Sequence, residues 1–171
     1  MNMQRTIYHS DDQLYLAEYI PEQDAEANYK CWLDPETQKG YNYKVDFTLE
    51  EFISSPGRSR FKAVIFRKSD DAAIGVVFLS PEGGLPDLAI MLYPGFRGMG
   101  YGTAAFRMAL EYCFKAFPFH EIYAGCYESK QASMKMLSNC GFVPHPEGNC
   151  SETHYLDWTP IIQFDFVKYR T

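Results

Sequence analysis

Residues 93–103 have the sequence YPGFRGMGYGT and join two segments of different periodicity. The residues before them, Leu88 to Leu92, form an apolar, β-prone run, and the residues after them repeat apolar side chains at helical spacing. The glycine-rich segment therefore lies at a strand-to-helix turn. Three glycines alternate with other residues between Arg97 and Thr103 and allow the backbone to approach a ligand closely. Backbone N–H groups at a helix start favour an anion, and Arg97 adds a charged donor.

Two common phosphate-binding motifs fit this segment poorly. The dinucleotide pattern G-x-G-x-x-G, counted from Gly98, fails at its last position, where Thr103 stands. No acidic residue that would end a second parallel strand follows at the usual interval. The Walker pattern requires a Lys after the glycines, and none is present. These departures argue against both a Rossmann site and a P-loop.

The pattern that fits is R-x-x-G-x-G, which resembles the acetyl-CoA pyrophosphate loop of the GNAT superfamily of N-acetyltransferases. Its extension by Thr103 resembles the RimJ/RimL-like branch. A glycine-rich turn without a ligand is the alternative. The resemblance implies that Leu92 and its neighbours on the preceding strand pair with the pantetheine amides of acetyl-CoA. The residues that it implies for cofactor binding are Leu92, Arg97, Gly98, Met99, Gly100, Tyr101, Gly102, Thr103, Lys130 and Ser133.

Composition sets the broad class of the protein. The chain has 171 residues, of which 46% are hydrophobic and 22% charged, so we predict one soluble globular domain over residues 1–171. A net charge of −6 argues against a nucleic-acid partner and slightly favours cationic substrates. No apolar run reaches the ~20 residues that cross a bilayer, so no membrane insertion is expected.

The cysteines and histidines indicate the redox compartment of the protein and whether a metal site is expected. The five cysteines form no C-x-x-C pair and no secretory leader precedes them, which predicts free thiols in a reducing cytoplasm. The four histidines are scattered, without zinc-ligand spacing, so no metal site is expected.

The N-terminal part is predicted as strand, helix, loop and short helix. Leu14 to Ala17 is a strand candidate, and a helix starts at Pro21 and ends near Leu33. Residues Glu36 to Val45 have a loop composition, and Thr48 to Glu51 is a capping box. The resemblance implies that these helices flank the acceptor groove. It places Trp32, Tyr41 and Tyr43 beside the substrate, although aromatic packing is the more favoured role for Trp32.

The middle of the chain predicts a meander followed by a crossover. The three antiparallel strands are Phe61 to Arg67, Ile74 to Leu79 and Leu88 to Leu92. A helix with one apolar face follows the glycine loop, and Glu121 to Tyr127 is the next strand, joined by a right-handed crossover. The fold class is therefore α/β with a mixed sheet. The resemblance implies the GNAT acyl-CoA N-acyltransferase fold, in which this sheet is mostly antiparallel with a central parallel pair flanked by helices.

A second resemblance to the family lies downstream. Lys130 to Ser133, a helix through Asn139 and then Gly141-Phe142 resemble the element N-x-x-S, helix, G-F. Lys130 stands where Asn is customary, and Leu137 stands where many members have a Tyr that protonates the departing thiolate. Tyr155 to Trp158 and Ile161 to Lys168 resemble the closing β-hairpin of the RimJ/RimL-like branch.

Two residues are candidates for the base that accepts the amine proton. Glu128, at the end of a predicted strand beside the cofactor, is preferred; Asp87, just before the strand that leads into the loop, is the second. With Leu137 in the usual acid position, the thiolate would take its proton from Ser133, Tyr127 or water.

The function implied is transfer of an acetyl group from acetyl-CoA to a primary amine by direct attack on the thioester. The acceptor is either a protein N-terminus or a small molecule, and the protein is either a monomer or a homodimer. A non-catalytic CoA-binding or regulatory domain is the rival, and transfer of a longer acyl chain is a further alternative.

Overall fold

The computed structural model describes residues 4–55 and 57–171 and contains nine strands and five helices within them. In chain order the elements are β1 (Ile7–Ser10), β2 (Leu14–Glu18), α1 (Pro21–Leu33), α2 (Pro35–Tyr41), α3 (Leu49–Ser54), β3 (Ser59–Arg67), β4 (Ala72–Pro81), β5 (Leu88–Leu92), α4 (Tyr101–Ala116), β6 (Glu121–Tyr127), α5 (Gln131–Asn139), β7 (Val143–Pro144), β8 (Cys150–Thr153) and β9 (Pro160–Tyr169).

The first sheet has five strands in the order β1-β2-β3-β4-β5, all paired antiparallel. The predicted meander forms the β3-β4-β5 side of this sheet, and β5 has the predicted bounds. The sequence analysis missed β1, whose four residues pair with β2 at the edge of the sheet.

The second sheet is built around β9, which pairs with β6 on one side and with β7 and β8 on the other. The predicted closing hairpin exists, but its first strand is β8. The expectation of a strand at Tyr155 to Trp158 is therefore wrong. These residues form the turn, which is closed by a bond from the His154 N–H to the Thr159 carbonyl and places Trp158 at a φ of 63°.

The two sheets meet where β5 and β6 run parallel. Their pairing consists of one isolated bridge between Asp87 and Tyr123, in which the Tyr123 N–H donates to the Pro86 carbonyl at 2.8 Å. The predicted central parallel pair is thus reduced to its first residues. Towards their carboxyl ends the two strands line opposite walls of a cleft.

Helix α4 joins the sheets through a common core. The predicted apolar face is confirmed, since Phe106, Ala109 and Cys113 are buried. These side chains share one cluster with Ile65 of the first sheet and Ile122 of the second. The crossover helix therefore packs on both sheets.

The N-terminal helices agree with the prediction except at one segment. Helix α1 has the predicted bounds, and the capping box of α3 is confirmed by reciprocal bonds between Thr48 and Glu51. The predicted loop from Glu36 to Val45 is wrong, because residues 35–41 form α2. The Asp34 carboxylate caps α2 by accepting the Thr37 N–H at 3.1 Å, and Pro35 occupies the first turn of this helix.

Within residues 4–55 and 57–171, none of the helices combines the length and the hydropathy needed to cross a membrane.

Candidate active site

A cleft of about 440 Å³ opens where β5 and β6 separate. Helices α2 and α5 form most of its remaining walls. The cleft brings together several of the residues that the sequence analysis selected, which are Asp87, Leu92, Arg97, Tyr127, Lys130 and Ser133.

Strand β5 turns one backbone edge towards the cleft. The Tyr93 N–H donates to the Ile74 carbonyl, and the Asp87 carbonyl accepts the Ser80 N–H, so these alternate residues face the β4 side. Antiparallel alternation then directs the backbone groups of Ile90 and Leu92 the other way. Side-chain contacts agree with this: the Tyr41 hydroxyl donates to the Ile90 carbonyl, and Arg97 Nε donates to the Leu92 carbonyl at 3.1 Å.

The glycine loop has the conformation of an anion-binding helix start. Gly98 and Gly100 have φ values of 73° and 82°, and Gly100 is the N-cap of the 16-residue helix α4. A methyl group at either position would meet no atom within 4 Å, so space is open above the loop. Such space beside a helix N-terminus fits a pyrophosphate.

The other residues of the loop have different surroundings. Gly102 lies within α4, where a methyl group would be 3.5 Å from Leu92 Cδ1. Tyr101 packs against the core, while Met99 is 57% exposed. Thr103 is half-buried, and its carbonyl accepts the Cys140 thiol at 3.7 Å.

The Arg97 side chain has protein partners at all three guanidinium nitrogens. Besides the bond from Nε to the Leu92 carbonyl, Nη1 donates to Asp34 Oδ2 at 2.9 Å and Nη2 to Thr37 Oγ1 at 2.8 Å. The sequence analysis predicted a bond from this side chain to a bound anion. The structure instead directs it to the start of α2.

Asp87 lies at the end of the cleft where the strands are bridged. Its side chain has an exposed surface, yet the protein around it removes much of its hydration. This desolvation, together with repulsion from the nearby carboxylate of Asp165, raises the pKa of Asp87 to about 6. A carboxylate with that pKa is well suited to accept a proton near neutral pH.

The structure does not place Glu128 in the cleft. Its side chain is exposed, its N–H donates to the Ile162 carbonyl and its carbonyl accepts Gln131 Nε2. Of the two candidate bases, Asp87 is the one that lines the cleft.

The candidate proton donors differ in availability. The Tyr127 hydroxyl donates to Glu152 Oε2 at 2.7 Å, and desolvation together with this bond raises its pKa. Tyr127 is thus a weak acid whose proton is already engaged. Ser133 is half-buried on α5 and lines the cleft. Lys130 precedes α5 and reaches across to α2, where its Nζ is 4.0 Å from Glu36 Oε2.

Several lining residues were missed or given another role by the sequence analysis. Cys126 is buried, yet it lines the cleft together with Gln163 of β9. Gln163 in turn donates to Asp165 at 3.2 Å. The pairing of β6 with β9 brings these residues to the site, and the local sequence of β9 contains no motif that could have predicted it.

The aromatic residues expected beside the substrate form one cluster. Tyr41 lines the cleft, and desolvation raises its pKa. The Trp32 ring packs on Tyr41 at 5.2 Å and on Tyr43 at 5.7 Å, which agrees with a packing role. In the described part of the chain, no group of three or more His, Cys, Asp or Glu residues could hold a metal ion.

A family model described as acetyltransferase (GNAT) domain matches residues 12–143. The chain belongs to the GNAT family. This finding confirms the family that the glycine loop predicted.

Relatives of the GNAT chain agree with this assignment. A probable N-acetyltransferase, YjcK of Bacillus subtilis (strain 168), is 36% identical over 88 residues, which are 49% of this chain and 48% of that protein. The match thus spans about half the length of the curated relative.

Solved structures confirm the GNAT fold. Spermidine N-acetyltransferase from Vibrio cholerae, in complex with CoA and spermine, superposes with a TM-score of 0.80 at 17% identity over 93% of this chain and 96% of that one. RimL, a ribosomal L7/L12 alpha-N-protein acetyltransferase in complex with CoA, gives 0.77 at 14% identity over 96% and 98%. At these identities the likeness concerns the fold alone, and the predicted fold class is confirmed.

Proposed function

We propose that this chain transfers an acetyl group from acetyl-CoA to a primary amine. The observation that carries the proposal is the course of β5 along the cleft. One end of its free edge meets the glycine loop at the start of α4, and the other end meets a carboxylate with a raised pKa. This order supports a pyrophosphate site, a pairing edge for the cofactor and a base that follow one another along β5.

The residues present fit acetyl-CoA. The N–H groups of residues 98–103 would hold the pyrophosphate, with Met99, Tyr101 and Thr103 contributing through the backbone. The inward-facing N–H groups of Ile90 and Leu92 would pair with the pantetheine amides, and Lys130 and Ser133 form the opposite wall. When bound, acetyl-CoA supplies a thioester carbonyl that is open to attack by an amine.

In this reaction the protein positions the amine against the thioester and supplies one proton acceptor. As the amine nitrogen bonds to the acetyl carbon and the C–S bond breaks, Asp87 takes the amine proton, directly or through one water. Ser133 or water then protonates the thiolate, since the Tyr127 hydroxyl is engaged by Glu152. Glu128 has no part in this scheme because it lies outside the cleft.

Charge around the cleft supports a cationic acceptor. Asp87 lines the cleft at its bridged end, with Asp165 close enough to repel its charge, and Glu152 lies at the carboxyl end of β6, where it accepts the Tyr127 hydroxyl. None of these three carboxylates belongs to an ion pair among the described residues. A small polyamine or a protein N-terminus would bring positive charge to these carboxylates. Of the two structural relatives, one is named for a polyamine, spermidine, and the other for the alpha-amino group of a ribosomal protein.

A panel of amines offered with acetyl-CoA tests this proposal. We expect release of free CoA thiol that depends on one class of amine, together with acetyl-CoA binding by calorimetry. Binding without turnover on the panel, which should include polyamines and peptides with free N-termini, would favour the non-catalytic rival. Faster turnover with a longer acyl-CoA would favour transfer of a longer acyl chain. Absence of acetyl-CoA binding would refute both acetyl transfer and the non-catalytic acetyl-CoA-binding domain.

The proposal also includes a single domain over residues 1–171 and a cytoplasmic location. Free thiols support a reducing compartment, since all five cysteines are unpaired, four of them buried and Cys150 exposed.

A further inference from the structure

We infer that Arg97 is a positioning residue and that its side chain is not a ligand of the cofactor phosphates. It fixes helix α2, the wall of the cleft with Thr37 and Tyr41, which we assign to the amine acceptor. This inference rests on the proposed function. It assigns the arginine of the glycine loop to the amine side of the reaction and leaves the pyrophosphate to the loop backbone.

The contacts of Arg97 connect three segments. Nε holds the carbonyl of Leu92 at the end of β5, while Nη1 and Nη2 hold Asp34 and Thr37 at the start of α2. Thr37 is 5% exposed, so this end of the contact is fixed inside the protein. Reaching a phosphate would break bonds at all three nitrogens and leave the Asp34 carboxylate without its partner.

Asp34 carries two functions at once. Its Oδ2 accepts the Arg97 guanidinium at 2.9 Å and the Thr37 N–H at 3.1 Å, so the ion pair and the N-cap of α2 share one oxygen. Partial desolvation would raise the pKa of Asp34, but the bonds from Arg97 and Thr37 hold it below its usual range. The cap of α2 is thereby coupled to the glycine loop.

Helix α2 is also held at its other end. The Tyr41 hydroxyl binds the Ile90 carbonyl on β5. Asn42, the C-cap residue, donates to the Thr153 carbonyl at 2.9 Å and accepts the Tyr155 N–H at 2.8 Å. The seven residues of α2 thus connect the glycine loop to the β8–β9 hairpin. A shift at Arg97 would move the wall that contains Thr37 and Tyr41.

Arg97→Gln and Asp34→Asn separate positioning from phosphate binding. Asn is as good an N-cap as Asp, so Asp34→Asn keeps the cap and removes the charge partner. We expect each variant to raise the KM of the acceptor at least about tenfold, with acetyl-CoA affinity kept within about twofold. The double variant should be little worse than either single one, because both remove the same contact.

Arg170→Gln is the matched control. Arg170 also binds backbone carbonyls, those of Phe117 and Phe119, but lies outside the cleft. It should lower the melting temperature without changing the acceptor KM. This control separates a general loss of stability from loss of positioning.

The outcomes distinguish this inference from the proposed function. A folded Arg97→Gln variant that loses acetyl-CoA affinity about tenfold or more, while Asp34→Asn does not, would establish Arg97 as a phosphate ligand and overturn the inference. Additive effects of the two substitutions on the acceptor KM would also overturn it. Failure of the wild-type protein to bind acetyl-CoA would instead refute the proposed function.

Discussion

At the scale of single residues, Asp87 determines the expected pH dependence. A carboxyl group with a pKa of about 6 accepts a proton only when it is ionised, so kcat/KM should fall as the pH drops through that value. Asp87→Asn should lower the rate by about 10²–10⁴ and remove this acidic limb. Rate profiles from about pH 5 to 9 check the prediction.

Two further variants make the Asp87 test specific. Asp165→Asn removes the like charge that contributes to the raised pKa of Asp87, so it should shift the acidic limb to lower pH. Glu128→Gln lies outside the cleft and should leave the profile unchanged. A limb that persists in Asp87→Asn, or disappears in Glu128→Gln, would assign the base elsewhere.

The choice between the two bases shows what the sequence left open. Both carboxylates stand near strand ends, and their local sequences do not reveal which one faces the cleft. The bridge between Asp87 and Tyr123 decides this, because it holds the start of β5 against β6 where the cleft begins. Such a long-range pairing has no local sequence pattern.

At the scale of elements, the conformation of the glycine loop can be tested separately from its stability. Gly100→Ala puts a side chain at a φ of 82°, which costs about 1–2 kcal/mol, and places a methyl group where the pyrophosphate would bind. We expect lower stability together with loss of acetyl-CoA affinity. Denaturation and calorimetry measure the two effects.

Gly83→Ala is the control for this loop. Gly83 has a φ of 91° and open space around it, in the turn before β5 and outside the cleft. The same backbone strain should lower its stability by a similar amount and leave binding intact. If Gly100→Ala bound acetyl-CoA as tightly as the wild-type protein, the glycine loop would be only a turn.

The pairing of β4 with β5 sets the position of the cleft edge. A methyl group at Gly75 would be 2.4 Å from the Met91 carbonyl oxygen, a backbone atom that cannot move freely. Gly75→Ala should therefore lower the free energy of unfolding by about 1–3 kcal/mol, measured in urea. Gly84→Ala, with no atom within 4 Å, should change it by less than about 0.5 kcal/mol. Equal stability of the two variants would contradict this account.

The sequence predicted elements well where caps and periodicity agreed. The bounds of α1, β5 and β6 follow from Pro21, from an apolar run and from alternation. Helix α2 was missed because Asp34-Pro35 ends one helix and starts the next, and because Gly40 lowers helix propensity. Since α2 forms one wall of the cleft, this error also concealed the partners of Arg97.

At the scale of the whole molecule, the shared core predicts cooperative unfolding. The sheets are joined by one bridge, but α4 packs on both, and Ile65 and Ile122 belong to one cluster. We expect a single thermal transition that coincides when followed by far-UV and near-UV circular dichroism. Two separate transitions would contradict the prediction of one domain over residues 1–171.

The charge of the cleft predicts a salt dependence. Asp87 and Asp165 repel each other at one end of the cleft, Glu152 lies beside Tyr127 at the other, and none of them belongs to an ion pair among the described residues. Salt screens the attraction of these carboxylates for a cationic amine over about 8 Å at physiological ionic strength. The KM of a doubly charged amine should therefore rise with added salt more steeply than that of a monoamine. Parallel slopes for the two amines in steady-state kinetics would remove the electrostatic argument for a cationic acceptor.

The free edge of β5 has a consequence for the aggregation of the protein. An unpaired strand edge on a protein surface is a template for strands of other chains and therefore an aggregation hazard. Here the edge lies inside a cleft, opposite β6, with the hydroxyl of Tyr41 on one of its carbonyls. Under the proposed function, the narrow and flexible pantetheine chain would enter this gap, whereas a β-strand with its side chains and its own neighbours needs far more room. The separation of β5 from β6 thus offers hydrogen bonds to a ligand while shielding them from intermolecular β-sheet formation.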